Sequence, residues 1–150
     1  MSNVVKSIKA MKSATRRSLT VGAVAGAIAA TTALGASPAS AATATWHYGS
    51  ITWYNPSVGV GACGEWHGDN ELVAAVSSQL YGSYPNPNNS PVCGKYVIVY
   101  GPSGTATWAK IVDKCPTCGP YDVDLSPAAF DVISDLGVGR FSTYWADYIN

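Results

Sequence analysis

The stretch IVDKCPTCGPYDVDLSPAAF, residues 111–130, carries the strongest structural signals in this chain of 150 residues. It begins at the end of a β-rich run over residues 105–112, which is predicted as a strand. Further on, Ser126 precedes Pro127, a pair typical of a helix N-cap followed by proline at the first helical position. A helix is therefore predicted over residues 128–136, ended by the glycine that follows.

The sequence outside this stretch predicts mainly short strands. The turn GPSG, residues 101–104, joins two β-rich runs as a hairpin. Residues 71–80 have apolar side chains at helical spacing and are predicted as a short helix. Three further runs rich in aromatic and β-branched residues are predicted as strands: 43–54, 95–100 and 140–148. Five or six short strands with two short helices favour a small closed barrel.

Residues 1–41 have the anatomy of a removable export signal. Five basic residues and no acid lie within the first 20 residues, an apolar run covers residues 21–34, and Ala39-Ser40-Ala41 is a small-residue cleavage site. The apolar run is shorter than the ~20 residues that span a bilayer, which disfavours a membrane anchor. We therefore expect a secreted, extracellular mature domain over residues 42–150, exported by either the general or the twin-arginine route.

The mature domain is acidic, although the whole chain is formally neutral. It keeps four of the nine basic residues and all nine acidic ones, which gives a net charge of −5. Such a domain offers no basic patch to phosphates, so nucleic acid is not an expected partner. Its 109 residues are enough for one hydrophobic core, and we expect a monomer.

All four cysteines, Cys63, Cys93, Cys115 and Cys118, lie in the mature domain. An even count in an exported chain is typical of two disulfides. A zinc ribbon is a rival interpretation, but Cys63 and Cys93 do not supply the second C-x-x-C motif that it needs. A redox role for the CPTC motif is disfavoured because the Gly-Pro that follows would stop the helix that such motifs begin. We expect no metal and no cofactor.

Several motifs follow one another along the mature domain. They are Thr52-Trp53-Tyr54, Gly61-Ala62-Cys63-Gly64, Cys93-Gly94-Lys95, the IVDKCPTC and VDLSPAAF segments of residues 111–118 and 123–130, and the closing run over residues 139–145. Together they resemble the double-psi β-barrel group that includes rare lipoprotein A, the expansin N-terminal domain and barwin-like proteins. Within that group, the nearest likeness is to small secreted proteins of the streptomycete papain-inhibitor type.

This resemblance implies a mainly β fold, a six-stranded double-psi β-barrel with two short helices. It also implies a disulfide between Cys63 and Cys93, as in barwin-like relatives, and with it a second one between Cys115 and Cys118. Rare lipoprotein A has a catalytic histidine in a motif that this sequence lacks, so lytic transglycosylase activity is not expected.

Asp113 and Asp124 are the candidate groove acids. In related inverting glycosidases the residue that matches Asp124 is the general acid, and Asp113 matches the aspartate that closes the preceding strand. Inverting hydrolysis needs a second carboxylate ~6.5–9.5 Å away, with water between the two. Only Asp69, near His67, remains for that role, so no catalytic residue is assured and we do not expect an enzyme. The alternative is that both acids accept hydrogen bonds from backbone N–H groups.

Aromatic residues are numerous for so short a domain. The candidates for a ligand groove are Trp46, Trp53, Tyr54, Trp66, Trp108, Tyr121 and Trp145. Such rings would hold a sugar chain or an extended peptide, and filling of the core is the alternative. We expect most to face the core and two or three to face the groove, with Tyr54 the first candidate for exposure, beside Thr52, which matches an expansin groove residue. His47 and His67, each next to a tryptophan, are expected to be packed rather than catalytic. The predicted binding residues are Thr52, Tyr54, Trp66, Asp113, Tyr121 and Asp124.

Two segments, residues 55–68 and 81–92, are rich in proline, glycine and asparagine. Held by a Cys63–Cys93 bridge, they would be rigid and would lose little entropy on entering a protease cleft. Simple ordered connections are the alternative. The resemblance implies an inhibitor of papain-like cysteine proteases that is also a transglutaminase substrate. The alternative function is an expansin-like, non-hydrolytic binder of cell-wall polysaccharide, and a residual glycosidase is a third alternative.

Overall fold

The computed structural model describes residues 43–148, and the proposed export signal over residues 1–41 lies outside them. The strands are β1 (Thr45–Trp53), β2 (Val73–Ser77), β3 (Tyr96–Tyr100), β4 (Ala106–Cys115), β5 (Val123–Leu125) and β6 (Phe141–Tyr148). The α-helices of this part are α1 (Ser78–Tyr81) and α2 (Pro127–Ile133), and 3-10 turns cover Pro56–Val58, Pro87–Asn89 and Leu136–Val138. Within residues 43–148, no helix is long and apolar enough to span a bilayer.

The six strands close into a barrel in the order β1-β5-β2-β4-β3-β6, with β6 hydrogen-bonded back to β1. Two pairs are parallel, β1 with β5 and β2 with β4. The other pairs are antiparallel. Because the barrel is closed, each of these strands has a neighbour on both sides, which removes the usual site of edge-to-edge aggregation. The predicted six-stranded barrel with two short helices is confirmed.

Alternate residues along the strands point into the barrel and form its core. The largest of the fully buried side chains is Trp145 of β6, whose indole N–H donates to the Tyr121 carbonyl at 2.8 Å. Other residues without exposed surface include Ile51, Val76, Val97, Val99, Ile111, Val123, Leu125 and Phe130. Each fully buried side chain of this kind contributes about 1.5–3 kcal/mol to folding.

The helix predicted over residues 71–80 is wrong. Val73–Ser77 forms β2, which lies between β4 and β5, and all five of its residues are buried. The helix α1 is restricted to the next four residues, and the Ser77 hydroxyl caps it by accepting from the Leu80 N–H at 3.3 Å. A short apolar strand that is buried on both faces shows no alternation, so periodicity does not separate it from a helix.

The N-cap predicted for α2 is confirmed, because the Ser126 hydroxyl accepts from the Ala129 N–H at 3.2 Å. The helix ends at Ile133, three residues earlier than predicted. Its C-cap, Ser134, is already extended at φ −164°, and Leu136–Val138 forms a separate 3-10 turn.

The hairpin predicted around residues 101–104 is confirmed as the antiparallel pair β3 and β4. β4 continues to Cys115, three residues further than predicted, because these last residues pair with β2 in parallel. β5 has only three residues and escapes sequence prediction, since so short a run carries no alternation.

Candidate functional site

Four of the barrel strands bring a row of residues together on the outer surface. Thr52 of β1 pairs with Asp124 of β5, Asp124 pairs with Ala75 of β2, and Ala75 pairs with Asp113 of β4. We call these four residues the acid row. The two neighbours of Asp124 on β5 are fully buried, so alternation turns Asp124 outward. The sequence-predicted residues Thr52, Asp113 and Asp124 therefore lie at one level of the barrel.

Asp124 is the half-buried acid of this row. Its Oδ1 accepts a hydrogen bond from the Thr52 hydroxyl, and its Oδ2 lies 3.7 Å from the Cys118 sulfur. Burial raises the pKa of this carboxyl, Arg140 opposes the rise, and the nearby Asp122 adds to it. A carboxyl with a raised pKa that accepts from a hydroxyl is suited to hydrogen bonding with a polar ligand.

Asp113 has a different role, because backbone N–H groups donate hydrogen bonds to its carboxylate. One of its oxygens, Oδ1, accepts from the N–H groups of Ala62 and Lys114, both at 2.7 Å. Asp113 thereby holds the segment that contains Gly61, where a Cβ would lie 2.6 Å from the Val112 carbonyl oxygen. The interpretation that the acids satisfy backbone N–H groups fits Asp113, whereas Asp124 accepts from a hydroxyl.

Tyr54 is not the exposed ring that the sequence suggested. It is half-buried, and its hydroxyl is buried with no hydrogen-bond partner among residues 43–148. Its pKa is raised, chiefly by burial and then by the negative charges of Asp113 and Asp124. The backbone stays beside β5 after β1 ends, because the Tyr54 N–H donates to the Leu125 carbonyl at 2.9 Å. Tyr54 therefore joins the acid row as a buried polar group rather than as an open stacking surface.

The expectation that most of the seven candidate aromatics face the core is wrong. Only Trp145 of the seven is buried. Trp53 and Tyr54 are half-buried, and Trp46, Trp66, Trp108 and Tyr121 are exposed. The barrel interior is filled mainly by aliphatic residues, together with Trp145, and alternation leaves Trp46 and Trp108 on the outer surface. Sequence reasoning missed the exposed Tyr48 and Tyr144, although Tyr48 lies two residues after Trp46 in a predicted strand, a period-2 spacing that was an available signal.

Both histidines are packed, as predicted. His47 Nε2 lies 2.6 Å from Asp147 Oδ2, and the His47 ring stacks on Tyr121 at a centroid distance of 5.2 Å. His67 is buried, with its Nδ1 2.9 Å from Glu71 Oε2. Tyr121, predicted as a groove residue, therefore contacts the His47–Asp147 pair.

The Asp69 carboxylate is hydrogen-bonded to the loop that follows β1. It accepts from the Ser57 N–H at 3.1 Å and from the Asn55 side-chain amide at 2.9 Å. These hydrogen bonds, with the Ser57 backbone the largest cause, lower the pKa of Asp69. A lowered pKa makes the carboxylate a weaker proton acceptor, so Asp69 is a poor general base.

The cysteines of the acid-row neighbourhood are oxidised. Sulfur and carboxylate atoms of Cys115, Cys118 and Asp124 lie within 4.8 Å of one another. Cys115 and Cys118 form a disulfide, and metal ions are bound by thiolates rather than by disulfide sulfurs. This group therefore presents one carboxylate to the solvent side of the barrel, not a metal centre.

Two loops lie beside each other near the acid row. We call residues 55–68 the first loop and residues 81–92 the second loop. A disulfide joins Cys63 of the first loop to Cys93, the residue immediately after the second loop. This bridge and the Cys115–Cys118 bridge are the pairings that the family resemblance implies.

Direct contacts also hold the second loop in place. The Tyr81 hydroxyl donates to the Pro87 carbonyl at 2.8 Å, and the Ser90 hydroxyl donates to the Tyr81 carbonyl at 2.6 Å. Gly64 of the first loop lies against the second loop, since a Cβ there would overlap the side-chain amide of Asn88. The φ of Gly64 is +90°, a conformation that favours glycine. The loops are thus packed on each other.

The first loop displays apolar side chains on a fixed backbone. Val58, Val60 and Trp66 are 86%, 69% and 60% exposed. Val60 and Trp66 form an isolated antiparallel bridge, and the Trp66 indole N–H donates to the Ser57 carbonyl at 3.2 Å. Trp66 was predicted as a binding residue, and it lies on this loop rather than in the acid row.

No protein-family model matches the chain. Among curated proteins, it is 34% identical over 93 residues to the papain inhibitor of Streptomyces mobaraensis, a match that covers 61% of this chain and 63% of that protein. It is 35% identical over 99 residues to expansin-like protein 2 of Dictyostelium discoideum, covering 59% of this chain and 22% of that protein. The chain therefore spans less than two thirds of the length of these two curated relatives.

Solved structures of other proteins share the fold. The Streptomyces papain inhibitor superposes with a TM-score of 0.62 at 33% identity, covering 67% of this chain and 92% of that one. A mutant Clavibacter michiganensis expansin in complex with cellohexaose superposes with a TM-score of 0.58 at 24% identity, covering 69% of this chain and 50% of that one. The second likeness establishes a common fold only.

Proposed function

The chain belongs to the double-psi β-barrel family of the Streptomyces papain inhibitor, and from this premise we propose that it is a secreted inhibitor of papain-type cysteine proteases. The observation that carries the proposal is the first loop, in which Val58, Val60 and Trp66 are exposed on a backbone held by a disulfide and by two carboxylates. Large exposed apolar side chains that are grouped in this way are typical of protein-binding surfaces.

The energetics of a rigid loop favour inhibition. A flexible segment loses about 0.5–1.5 kcal/mol for each side chain that it immobilises on binding, and more for its backbone. Here Asp69 and Asp113 already fix the backbone at Ser57 and Ala62. Most of the ordering cost is therefore met during folding, which leaves more of the contact energy for binding.

The acid row supports a binding role rather than hydrolysis. Asp113 accepts two backbone N–H groups, and Asp69 has a lowered pKa, so neither is a suitable general base opposite Asp124. We propose that the domain is not an enzyme. Soluble cellulose, chitin and peptidoglycan should release no reducing ends when incubated with it, and sustained release that Asp124→Asn abolishes would contradict this proposal.

Titration of active papain with the purified mature domain tests the inhibition. Reversible, stoichiometric loss of activity is expected, with the inhibitor recovered uncleaved. Val60→Asp should weaken inhibition at least tenfold, or about 1.4 kcal/mol, because the new charge would be desolvated at the interface. Val138→Asp, at an exposed valine in the Leu136–Val138 turn, is the matched control and should stay within twofold. No inhibition at micromolar excess, or equal losses in both variants, would reject the proposal.

A second candidate function is binding of cell-wall polysaccharide in the acid row. The buried, unpartnered hydroxyl of Tyr54 beside Thr52 and Asp124 favours it, as does the expansin-like relative. Tyr54→Phe removes this hydroxyl with little change of shape. If the acid row binds sugar chains, the variant should lose retention on insoluble polysaccharide while papain inhibition is unchanged.

The remaining proposals concern location and partners. Two disulfides are typical of an extracellular protein, so we propose export of the mature domain and function as a monomer outside the cell. A transglutaminase would act on Gln79, which is the one glutamine of the sequence and is exposed on α1. Loss of amine incorporation in Gln79→Asn would support this assignment, and unchanged incorporation would reject it.

A further inference from the structure

The side of the barrel formed by β1, β6, β3 and β4 carries aromatic residues on its outer surface. One row of paired residues across it runs from Trp46 through Ala146 and Ile98 to Trp108. The pair Tyr48 and Tyr144 lies on one side of this row, and the pair Tyr148 and Tyr96 lies on the other. We call the six aromatic residues Trp46, Tyr48, Tyr96, Trp108, Tyr144 and Tyr148 the outer aromatic face.

The rings of this face are open to solvent and support one another. Tyr144 and Trp46 are 63% and 57% exposed. Trp108 packs on Tyr148 at a centroid distance of 4.8 Å, and Tyr48 contacts Tyr144 edge-on at 4.9 Å. Ala146, at the centre, has no exposed surface although it points outward. Two pairs of rings are thus packed together before any ligand arrives, and a group of exposed rings on one face is typical of binding surfaces rather than of scattered exposed residues.

The charge of the face selects among ligands. Within the described strands, no outward residue of β1, β3 or β6 is an aspartate, glutamate, lysine, arginine or histidine. The acid of β6, Asp147, faces inward to His47. Lys110 of β4, next to Tyr96, lies at the border, 3.9 Å from Glu65. A domain with nine acids that leaves this side uncharged is matched to an uncharged ligand, since a charged one would find no counter-charge there.

The face is continuous with the acid row. The outward residues of β1 run from Trp46 and Tyr48 through Ser50 to Thr52, which is the first member of the acid row. A linear ligand that lies along β1 would therefore contact both surfaces. This continuity, with the hydroxyl groups of four tyrosines among the rings, favours an extended ligand that is rich in hydroxyl groups.

We propose that the outer aromatic face binds the chain of an uncharged polysaccharide. A pyranose ring has a flat face of C–H groups, which stack on aromatic rings, and a rim of hydroxyls, which the tyrosine hydroxyls and indole N–H groups can bind. The face is separate from the two loops, so the domain would bind a polysaccharide surface while its first loop remains free for a protease. Polysaccharide binding at this face would be a function separate from protease inhibition and would not depend on it.

Pelleting with insoluble cellulose and with insoluble chitin, each an uncharged polysaccharide, tests the proposal. The double variant Trp46→Ala/Tyr144→Ala should lower retention at least tenfold, and Trp108→Ala alone should lower it several-fold. Val132→Ala, at an exposed apolar residue of α2 outside the face and both loops, is the control and should be retained within twofold of wild type. The thermal midpoint of each variant verifies folding, and Tyr144→Phe, which keeps the ring, should retain most of the binding.

Each alternative result has a defined meaning. A wild-type domain that pellets with neither polysaccharide overturns the proposal, as does equal retention of the face variants. Retention that Tyr54→Phe abolishes while the face variants bind normally assigns binding to the acid row alone and also overturns it. Concentration-dependent dimers that Trp46→Ala/Tyr144→Ala dissociates in sedimentation would assign the face to a second copy instead. Papain titration of the same variants keeps the result separate from the inhibitory function.

Discussion

Asp113 and Asp124 lie on opposite sides of a single residue, Ala75 of β2, and each pairs with it in the barrel. Two strand spacings separate their backbones, about 9–10 Å. Despite this symmetry the two acids differ chemically. Asp113 accepts two backbone N–H groups, whereas Asp124 accepts from the Thr52 hydroxyl and has a pKa raised by burial. One acid thus holds the first loop, and the other is available to a ligand.

Replacement of Asp124 by asparagine is predicted to leave the domain at least as stable as wild type at pH 7. The folded pKa lies above the unfolded one, so the charged carboxylate opposes folding at pH values above the folded pKa. As the pH falls to below the unfolded pKa of about 3.9, wild type becomes neutral and this penalty disappears. The amide oxygen of the asparagine would still accept from the Thr52 hydroxyl.

Thermal midpoints of wild type and Asp124→Asn, measured from pH 3 to pH 8, check this. The advantage of the variant should be present at neutral pH and shrink toward pH 3. Thr52→Val is the control that removes the hydroxyl while keeping the acid. A variant that is less stable than wild type at pH 7 would show that the charge of Asp124 stabilises the fold.

Asp69 is predicted to behave in the opposite way. Its pKa is lowered in the folded state, so its contribution is present above the unfolded pKa and is lost as the pH falls through the folded one. Asp69→Asn should speed amide exchange at Ser57 at pH 7, because an amide oxygen is a weaker acceptor than a carboxylate. At pH values below the folded pKa, wild type and variant should exchange alike. Equal protection of Ser57 at neutral pH would contradict this role of Asp69.

The two disulfides are predicted to contribute unequally to stability. The Cys63–Cys93 bridge spans 30 residues and the Cys115–Cys118 bridge spans three. In the loop-entropy model, this difference makes the longer bridge worth about 2 kcal/mol more. Urea unfolding of the two double Cys→Ser variants measures the difference. A greater loss of unfolding free energy in the Cys115→Ser/Cys118→Ser variant would show that local packing around the short bridge outweighs chain entropy.

The sequence predicts the parts of this fold that depend on neighbouring residues. The cap at Ser126 and the hairpin turn at residues 101–104 are examples, because their signals lie within a few positions. β2 is not predictable in this way, since its strand conformation results from burial between β4 and β5. Local propensity is overridden there by pairing that is distant in sequence.

The candidate site also contains residues that local sequence signals predict and residues whose positions depend on distant pairing. Motif resemblance identifies Thr52, Asp113 and Asp124, and the barrel register brings them into one row. The half-buried position of Tyr54 depends on the pairing of β1 with β5, whose ladder continues in the Tyr54–Leu125 hydrogen bond, and no local pattern encodes this contact between segments distant in sequence. The residues of the outer aromatic face come from four strands, so they can be recognised as one surface only when the strand order is known.

The second loop is predicted to support inhibition through its rigidity. Its residues 85–91 contain three prolines, and the Tyr81 and Ser90 hydroxyls donate hydrogen bonds within the loop, to the Pro87 and Tyr81 carbonyls. Replacement of residues 85–91 by a glycine–serine run would leave the disulfide in place but restore backbone freedom, which must then be lost on binding. Papain inhibition should weaken at least tenfold, or about 1.4 kcal/mol.

Two control variants accompany this loop replacement. Asp124→Asn should change papain inhibition by less than tenfold, because the acid row lies outside both loops. Pro102→Gly, at an exposed proline in the β3–β4 turn, is the matched control for added flexibility. Inhibition constants from papain titration decide the outcome, and a loop replacement that inhibits as well as wild type would place the contact surface elsewhere on the barrel.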